Sequence, residues 1–183
     1  MATVEQSNNV SVSDLLSRDL IEPDLEAGSR DEVFDDLIGL LEESGSLEHS
    51  DEALDALKDR EEILSTGIGE GLAIPHAKMD EIDEFKAAFA RLPDGVDFKS
   101  LDGKPAHLVF LLLSPKGEAG KHVRVLARVS RILKNASFRD RLLEAETDDE
   151  IMERAAEHAG KRHPDVELDD ATATQIRSKI LTV

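Results

Sequence analysis

His107-Leu-Val-Phe-Leu-Leu-Leu113 is an apolar run of strand length, closed off by Gly103 and Pro105 before it and by Pro115 after it. A strand apolar at every second position could leave one face to water. One apolar at consecutive positions must be covered on both faces, so this run predicts a central, buried strand. Around it, Phe85, Ala87 and Phe89 alternate with Lys86, Ala88 and Ala90, predicting a strand over Phe85 to Leu92; Pro93-Asp94-Gly95 then reads as a turn and return through Val96-Asp97-Phe98. Helical spacing takes over elsewhere. Ser29-Arg-Asp-Glu32 is a capping box ahead of Val33, Phe34, Leu37, Ile38 and Leu41, and a second helix fits Ser50 to Glu62. Lys121 to Lys134 is amphipathic, and Thr147-Asp-Asp-Glu150 is a second capping box leading into Ile151, Met152, Ala155 and Ala156. Together these elements predict an α/β fold, a mixed β-sheet flanked by helices on both faces.

The chain's 183 residues suit one domain. Residues 1–10 are polar and read as a mobile leader, residues 11–157 as the domain, and residues 158–183 as a C-terminal tail with room for a short helix near Thr174 to Leu181. The formal net charge of −18 argues against nucleic acid or an anionic membrane as partner, since both would be repelled. A salt-rich cytoplasm, in which screening relaxes that self-repulsion, is one expectation from the acidity; a surface kept acidic for solubility is the other. No run of transmembrane length and no secretory leader pattern is present, which predicts a cytoplasmic protein without membrane insertion. With no Cys, any thiol chemistry has to be supplied by a partner.

The chemistry concentrates in Ser65-Thr-Gly-Ile-Gly-Glu-Gly-Leu-Ala-Ile-Pro-His76. Glycines at every second position forbid a helix and predict a loop feeding a short extended Leu72-Ala73-Ile74, with Pro75 fixing the backbone before the imidazole. A neutral ring nitrogen can attack phosphorus at physiological pH and later release it, provided that donors hold the phosphoryl oxygens. Ser65 and Thr66 hydroxyls, the N–H groups of Gly67 to Gly71 and the Arg60 guanidinium are candidate donors. A purely structural glycine turn is the competing reading. The glycine spacing matches neither a dinucleotide fingerprint nor a nucleotide P-loop. His122 sits on the apolar face of its helix, so it is either a satisfied core histidine or a neighbour that donates to a group on His76. His158 and His163 lack a metal-binding helical pattern, His49 reads as a turn residue and His107 as a strand-end residue. The basic stripe Lys121, Arg124, Arg128 and Arg131 reads as a solvated helix face that could also guide an acidic partner.

From Arg60 through His76 the sequence closely resembles the enzyme IIA family of the fructose, mannitol and nitrogen-related phosphotransferase systems (PTS). The likeness continues through Arg91-Leu-Pro-Asp-Gly-Val-Asp-Phe98, Leu101-Asp-Gly-Lys-Pro105, the His107–Ser114 strand and the His122 helix. It departs at Val123, where Leu is expected, in the longer C-terminal tail and in the extreme acidity. The resemblance implies the PTS enzyme IIA type 2 fold and a phosphohistidine on His76. The helper histidine then falls on His122 and the phosphate-side arginine on Arg60. It further implies an HPr-like phosphocarrier as donor and the cysteine of a separate enzyme IIB as acceptor. A membrane enzyme IIC is reached only indirectly, and no metal or organic cofactor is implied. Sugar uptake, with fructose as the family-level expectation, is one implied role. A regulatory nitrogen-type IIA acting by phosphorylation-dependent binding is another, and an interaction module that never turns over phosphate is a third.

Overall fold

A computed structural model describes residues 12–162. The leader at residues 1–10, the tail from His163 onward and the short helix expected near Thr174 to Leu181 lie outside the described residues. In chain order the elements are α1 (Val12–Leu15), β1 (Ile21–Glu22), α2 (Arg30–Glu43), α3 (Ser50–Ile63), β2 (Gly67–Gly69), β3 (Leu72–Ala73) and β4 (His76–Met79). They continue with β5 (Lys86–Val96), β6 (Ala106–Pro115), α4 (Ala119–Leu133), α5 (Ala136–Leu143) and α6 (Asp148–Arg162).

The apolar run lies in β6, which is central as expected. It pairs antiparallel with β5 on one side and parallel with both β3 and β4 on the other. The sheet order is β1-β5-β6-β3-β2, with β1 parallel to β5 and β2 antiparallel to β3. Period-two alternation splits β6 between two cores. Val109, Leu111 and Leu113 pack with Val33, Phe34, Leu37, Ala53 and Leu57 of α2 and α3. Leu108, Phe110 and Leu112 face Val125, Leu126, Val129 and Leu133 of α4, together with Phe138 of α5 and Ile151 of α6. Helices therefore cover both faces. Burying each of these branched side chains contributes about 1.5–3 kcal/mol.

The helix starts follow their capping residues. Ser29 Oγ accepts from Glu32 N–H at 3.3 Å, and Thr147 Oγ1 accepts from Glu150 N–H at 3.2 Å. Both glutamates reach one residue beyond the cap, to Gly28 N–H at 2.7 Å and Glu146 N–H at 2.8 Å. α6 continues past His158 to Arg162, further than its apolar pattern. No helix among the described residues is long and apolar enough to cross a membrane.

Two expectations need correction. Pro93-Asp94-Gly95 does not reverse the chain: Arg91 pairs with Leu108 and Val96 with Ala106, so β5 stays on the same partner through a bulge. Gly95 has φ +71°, and a Cβ there would meet the His107 ring, whose Nδ1–H donates to Leu92 O at 2.9 Å inside the bulge. The glycine segment is a hairpin, not a loop. Gly67 pairs with Ala73 and Gly69 with Leu72 around a Glu70-Gly71 turn. Both turn residues have positive φ, 56° and 78°, as tight hairpin turns require.

Candidate phosphoryl site at the end of the central strand

His76 is the first residue of β4, not the last of the preceding extended piece. Ile74-Pro75 separates β3 from β4 while both stay alongside β6, because Pro75 O accepts from Leu112 N–H at 2.9 Å. His76 pairs in register with Leu112, on the face turned to α4. His122 reaches the same place from the first turns of α4, where the helical spacing that buries Val125, Leu126 and Val129 also points its ring at the sheet. The two ring centroids are 5.4 Å apart with the planes tilted by 54°. His76 keeps 8 % of its surface exposed and His122 keeps 3 %.

Each ring is tethered through Nδ1. His76 Nδ1 is 2.7 Å from Ile74 O, and since a carbonyl oxygen only accepts, Nδ1 carries the proton and Nε2 the lone pair. His122 Nδ1 lies 2.5 Å from the hydroxyl of Ser114, a fully buried residue two positions beyond Leu112 on β6. Among the described residues, the buried side-chain polar atoms left without a partner are Arg30 Nε and Ser50 Oγ. The unbonded Nε2 atoms of both imidazoles therefore sit at the little surface that these rings keep.

The electrostatics hold both rings neutral. Burial, followed by the nearby positive charges of Arg60 and Lys78, pushes His76 down to about 4, against the upward pull of its bond to Ile74 O. Burial also pushes His122 down to about 3, helped by His76, Lys78 and Arg60 in that order. Arg60 lies in the last turn of α3, where one arm donates to Leu64 O at 2.9 Å and closes the helix end. Its half-buried guanidinium has its pKa lowered by burial, which the neighbouring Glu61 opposes.

Ser65 and Thr66 direct their hydroxyls to other partners. The Ser65 hydroxyl donates to Phe98 O while accepting from Gly67 N–H. Thr66 donates both N–H and Oγ1–H to the buried Glu61 carboxylate, the hydroxyl at 2.6 Å, and Glu61 also faces Arg30 at 3.5 Å. Both hydroxyl protons are thus spent on shaping the segment between α3 and β2. In the glycine segment, Gly67 N–H donates to Ser65 Oγ at 3.0 Å. Glu70 N–H donates to Asp102 at 2.8 Å, and Gly71 O accepts from His107 N–H at the start of β6, five residues and roughly 17 Å of strand away from Leu112.

Three residues were missed by the sequence reading. Lys78 carries a period-two signal, being two residues after His76 on a strand, but the strand itself was not foreseen. Ser114 ends the apolar run on the α4 face, legible once β6 is phased. Glu61 continues the buried row of Ala53 and Leu57 at i+4 spacing, a phase signal that its neighbour Glu62 lacks. His158, expected in a mobile region, lies in α6 with its ring stacked on Phe138 at 4.4 Å; His163 lies outside the described residues.

The family model described as phosphoenolpyruvate-dependent sugar phosphotransferase system, EIIA 2, matches residues 14–157. A second model, described only as a protein of unknown function, matches residues 140–182. The fructose-specific EIIA component of Haloferax volcanii is 36 % identical over 80 % of this chain and 95 % of its own length. The fructose-specific EIIABC component of Bacillus subtilis is 38 % identical over 81 % of this chain, which spans only 24 % of that larger protein. Among solved structures, the nitrogen regulatory protein IIA-Ntr of Neisseria meningitidis superposes with a TM-score of 0.73 at 33 % identity, covering 79 % of this chain and 98 % of that one. The IIA mannitol of Escherichia coli, in its complex with phosphorylated enzyme IIB, gives 0.67 at 26 % identity, covering 78 % and 97 %. A family match across most of the chain, together with relatives that this chain covers almost end to end, places this protein in the EIIA type 2 family of the phosphotransferase system.

Proposed function

We propose that His76 is the phosphoryl-carrying residue and that its Nε2 is the nucleophile. The carrying observation is the bond from His76 Nδ1–H to Ile74 O, which leaves the lone pair on Nε2, at the small surface that the ring keeps. In the forward step the Nε2 lone pair attacks phosphorus, the Nε2–P bond forms as the donor's N–P bond breaks, and the donor nitrogen keeps the electron pair of the bond it loses. The His76 ring gains positive charge as it is phosphorylated, and the Ile74 carbonyl facing Nδ1–H stabilises that charge. Arg60 and Lys78 supply positive charge to the phosphoryl oxygens, and His122 supplies a ring N–H. With both nitrogens nearly equivalent as leaving groups, positioning and charge stabilisation are enough for reversible transfer.

The donor is an HPr-like phosphohistidine carrier, and the acceptor is a cysteine thiolate of an enzyme IIB outside this sequence, acting in the cytoplasm. Ile63 and Leu64, exposed to 63 % and 40 % three and four residues after Arg60, offer partner proteins an apolar landing rim. The Haloferax fructose-specific relative, covered over 95 % of its length, supports sugar uptake, with fructose as the sugar. A regulatory role is the second reading, supported by the nitrogen regulatory protein of Bradyrhizobium diazoefficiens at 35 % identity over 72 % of this chain and by the Neisseria structure.

Incubation with the phosphorylated carrier tests the proposal. The chain takes up stoichiometric acid-labile label, and His76→Ala takes up none. Wild-type protein that stays unlabelled overturns the phosphoryl reading. Onward transfer to a cysteine-bearing IIB supports uptake, and its absence with every IIB supplied favours regulation.

A further inference from the structure

We infer that Ser114 is a positioning residue that locks His122 in the tautomer whose Nε2–H faces the phosphoryl group on His76. The inference rests on the phosphoryl reading for its purpose, but its geometry stands alone.

The contact between Ser114 Oγ and His122 Nδ1, at 2.5 Å, can be made in two ways. Either the hydroxyl donates to an unprotonated Nδ1, or Nδ1–H donates to the hydroxyl oxygen. Ser114 is fully buried on β6, and among the described residues His122 is the hydrogen-bond partner of its side chain. In the second arrangement the hydroxyl proton would be left in apolar surroundings without an acceptor, an arrangement that buried polar groups avoid. The first arrangement satisfies both the hydroxyl and Nδ1. Ser114 donates, His122 Nδ1 accepts, and the ring proton is forced onto Nε2.

The consequence appears when the two rings are taken together. The carbonyl of Ile74 makes the outer nitrogen of His76 an acceptor, and the hydroxyl of Ser114 makes the outer nitrogen of His122 a donor. The cleft thus offers one lone pair to attack phosphorus and one N–H for the oxygens that arrive with it. Without Ser114, an isolated imidazole would divide between tautomers, and in part of the population the His122 lone pair would face the phosphoryl oxygens and repel them. The same strand sets both ends: His76 pairs with Leu112, and Ser114 follows on the same face two residues later. No element has to move to bring the hydroxyl under the ring.

Ring nitrogen chemical shifts of 15N-histidine protein at pH 7 test this, compared between wild type, Ser114→Ala and Ser114→Thr. His122 of wild type shows a protonated Nε2 and an unprotonated Nδ1. Ser114→Ala shifts both nitrogens towards the average of the two tautomers, and Ser114→Thr, which keeps a hydroxyl, restores the wild-type values. Phosphoryl uptake by His76 falls about 10-fold in Ser114→Ala and recovers in Ser114→Thr, a pattern that lost packing would not give. A protonated Nδ1 on His122 in wild type overturns the inference, as do unchanged shifts in Ser114→Ala. If the shifts follow expectation while wild-type protein takes no label, the tautomer assignment stands and the phosphoryl role of both histidines falls.

Discussion

At the scale of single residues, the neutrality of His76 and His122 has a cost that pH reveals. Each titrates near 6.5 in the unfolded chain but only at about 4 and about 3 in the fold. Below pH 6.5 the unfolded chain therefore binds protons that the folded chain refuses. Stability is full above that value and is lost as pH falls towards 4. For His76 the loss between pH 7 and pH 4.5 amounts to about 2 kcal/mol. Urea unfolding at these two pH values should show His76→Gln losing about 2 kcal/mol less than wild type; an unchanged acid slope would contradict the burial account. The same depression keeps the Nε2 lone pair available across pH 5–8, where a solvated histidine would be losing it. The glycine-rich Pro75-His76 segment and the helical phase of His122 single out the two histidines in the sequence, but their separation of 5.4 Å is not legible there, because residues 46 apart in sequence meet only through the sheet.

At the scale of elements, what was legible followed from strong local patterns. The central strand, the capped helices and the amphipathic α4 were all read because each carries its own periodicity or cap. The hairpin at Gly67–Ala73 and the bulge at Pro93–Gly95 were misread because turn residues announce a change of direction without saying which partner strand the chain rejoins. Ser65 and Thr66 were offered as phosphate donors from residue type alone. Their engagement with Phe98 O and Glu61 depends on tertiary contacts that no local pattern encodes. The Glu61 carboxylate ties α3 to the segment that leads into His76, through Thr66 N–H, Thr66 Oγ1–H and Arg30. Glu61→Ala would leave the Thr66 donors without their acceptor and Arg30 with Asp31 as its remaining carboxylate, at a cost of about 2 kcal/mol. Equilibrium urea denaturation measures this, and a loss under about 1 kcal/mol would show the tether to be unimportant.

For the whole molecule, the two-sided α/β architecture was readable because β6 is apolar at consecutive positions, which only a covered central strand satisfies. The charge balance works at the same scale. Forty carboxylates against 22 Lys and Arg give −18 on the full chain, and the positive charges of Arg60 and Lys78 gather at the histidine pair. Repulsion among the carboxylates acts over a screening length that falls from about 30 Å in 10 mM salt to about 3 Å in 1 M salt. The melting temperature should therefore rise by several degrees across that range, and a flat or falling profile would remove the salt-adapted reading of the acidity. Label uptake should weaken over the same range if charge steers the acidic chain to a basic carrier.

The central claim is that one nitrogen, Nε2 of His76, receives phosphorus while Nδ1 stays bonded to Ile74 O. Phosphorylated, 15N-histidine-labelled protein read by 31P–15N correlation tests it directly. The expected result is a phosphorus coupling to Nε2 of His76 with a protonated Nδ1 on the same ring. A coupling to Nδ1, or to any ring nitrogen of His122, would contradict it.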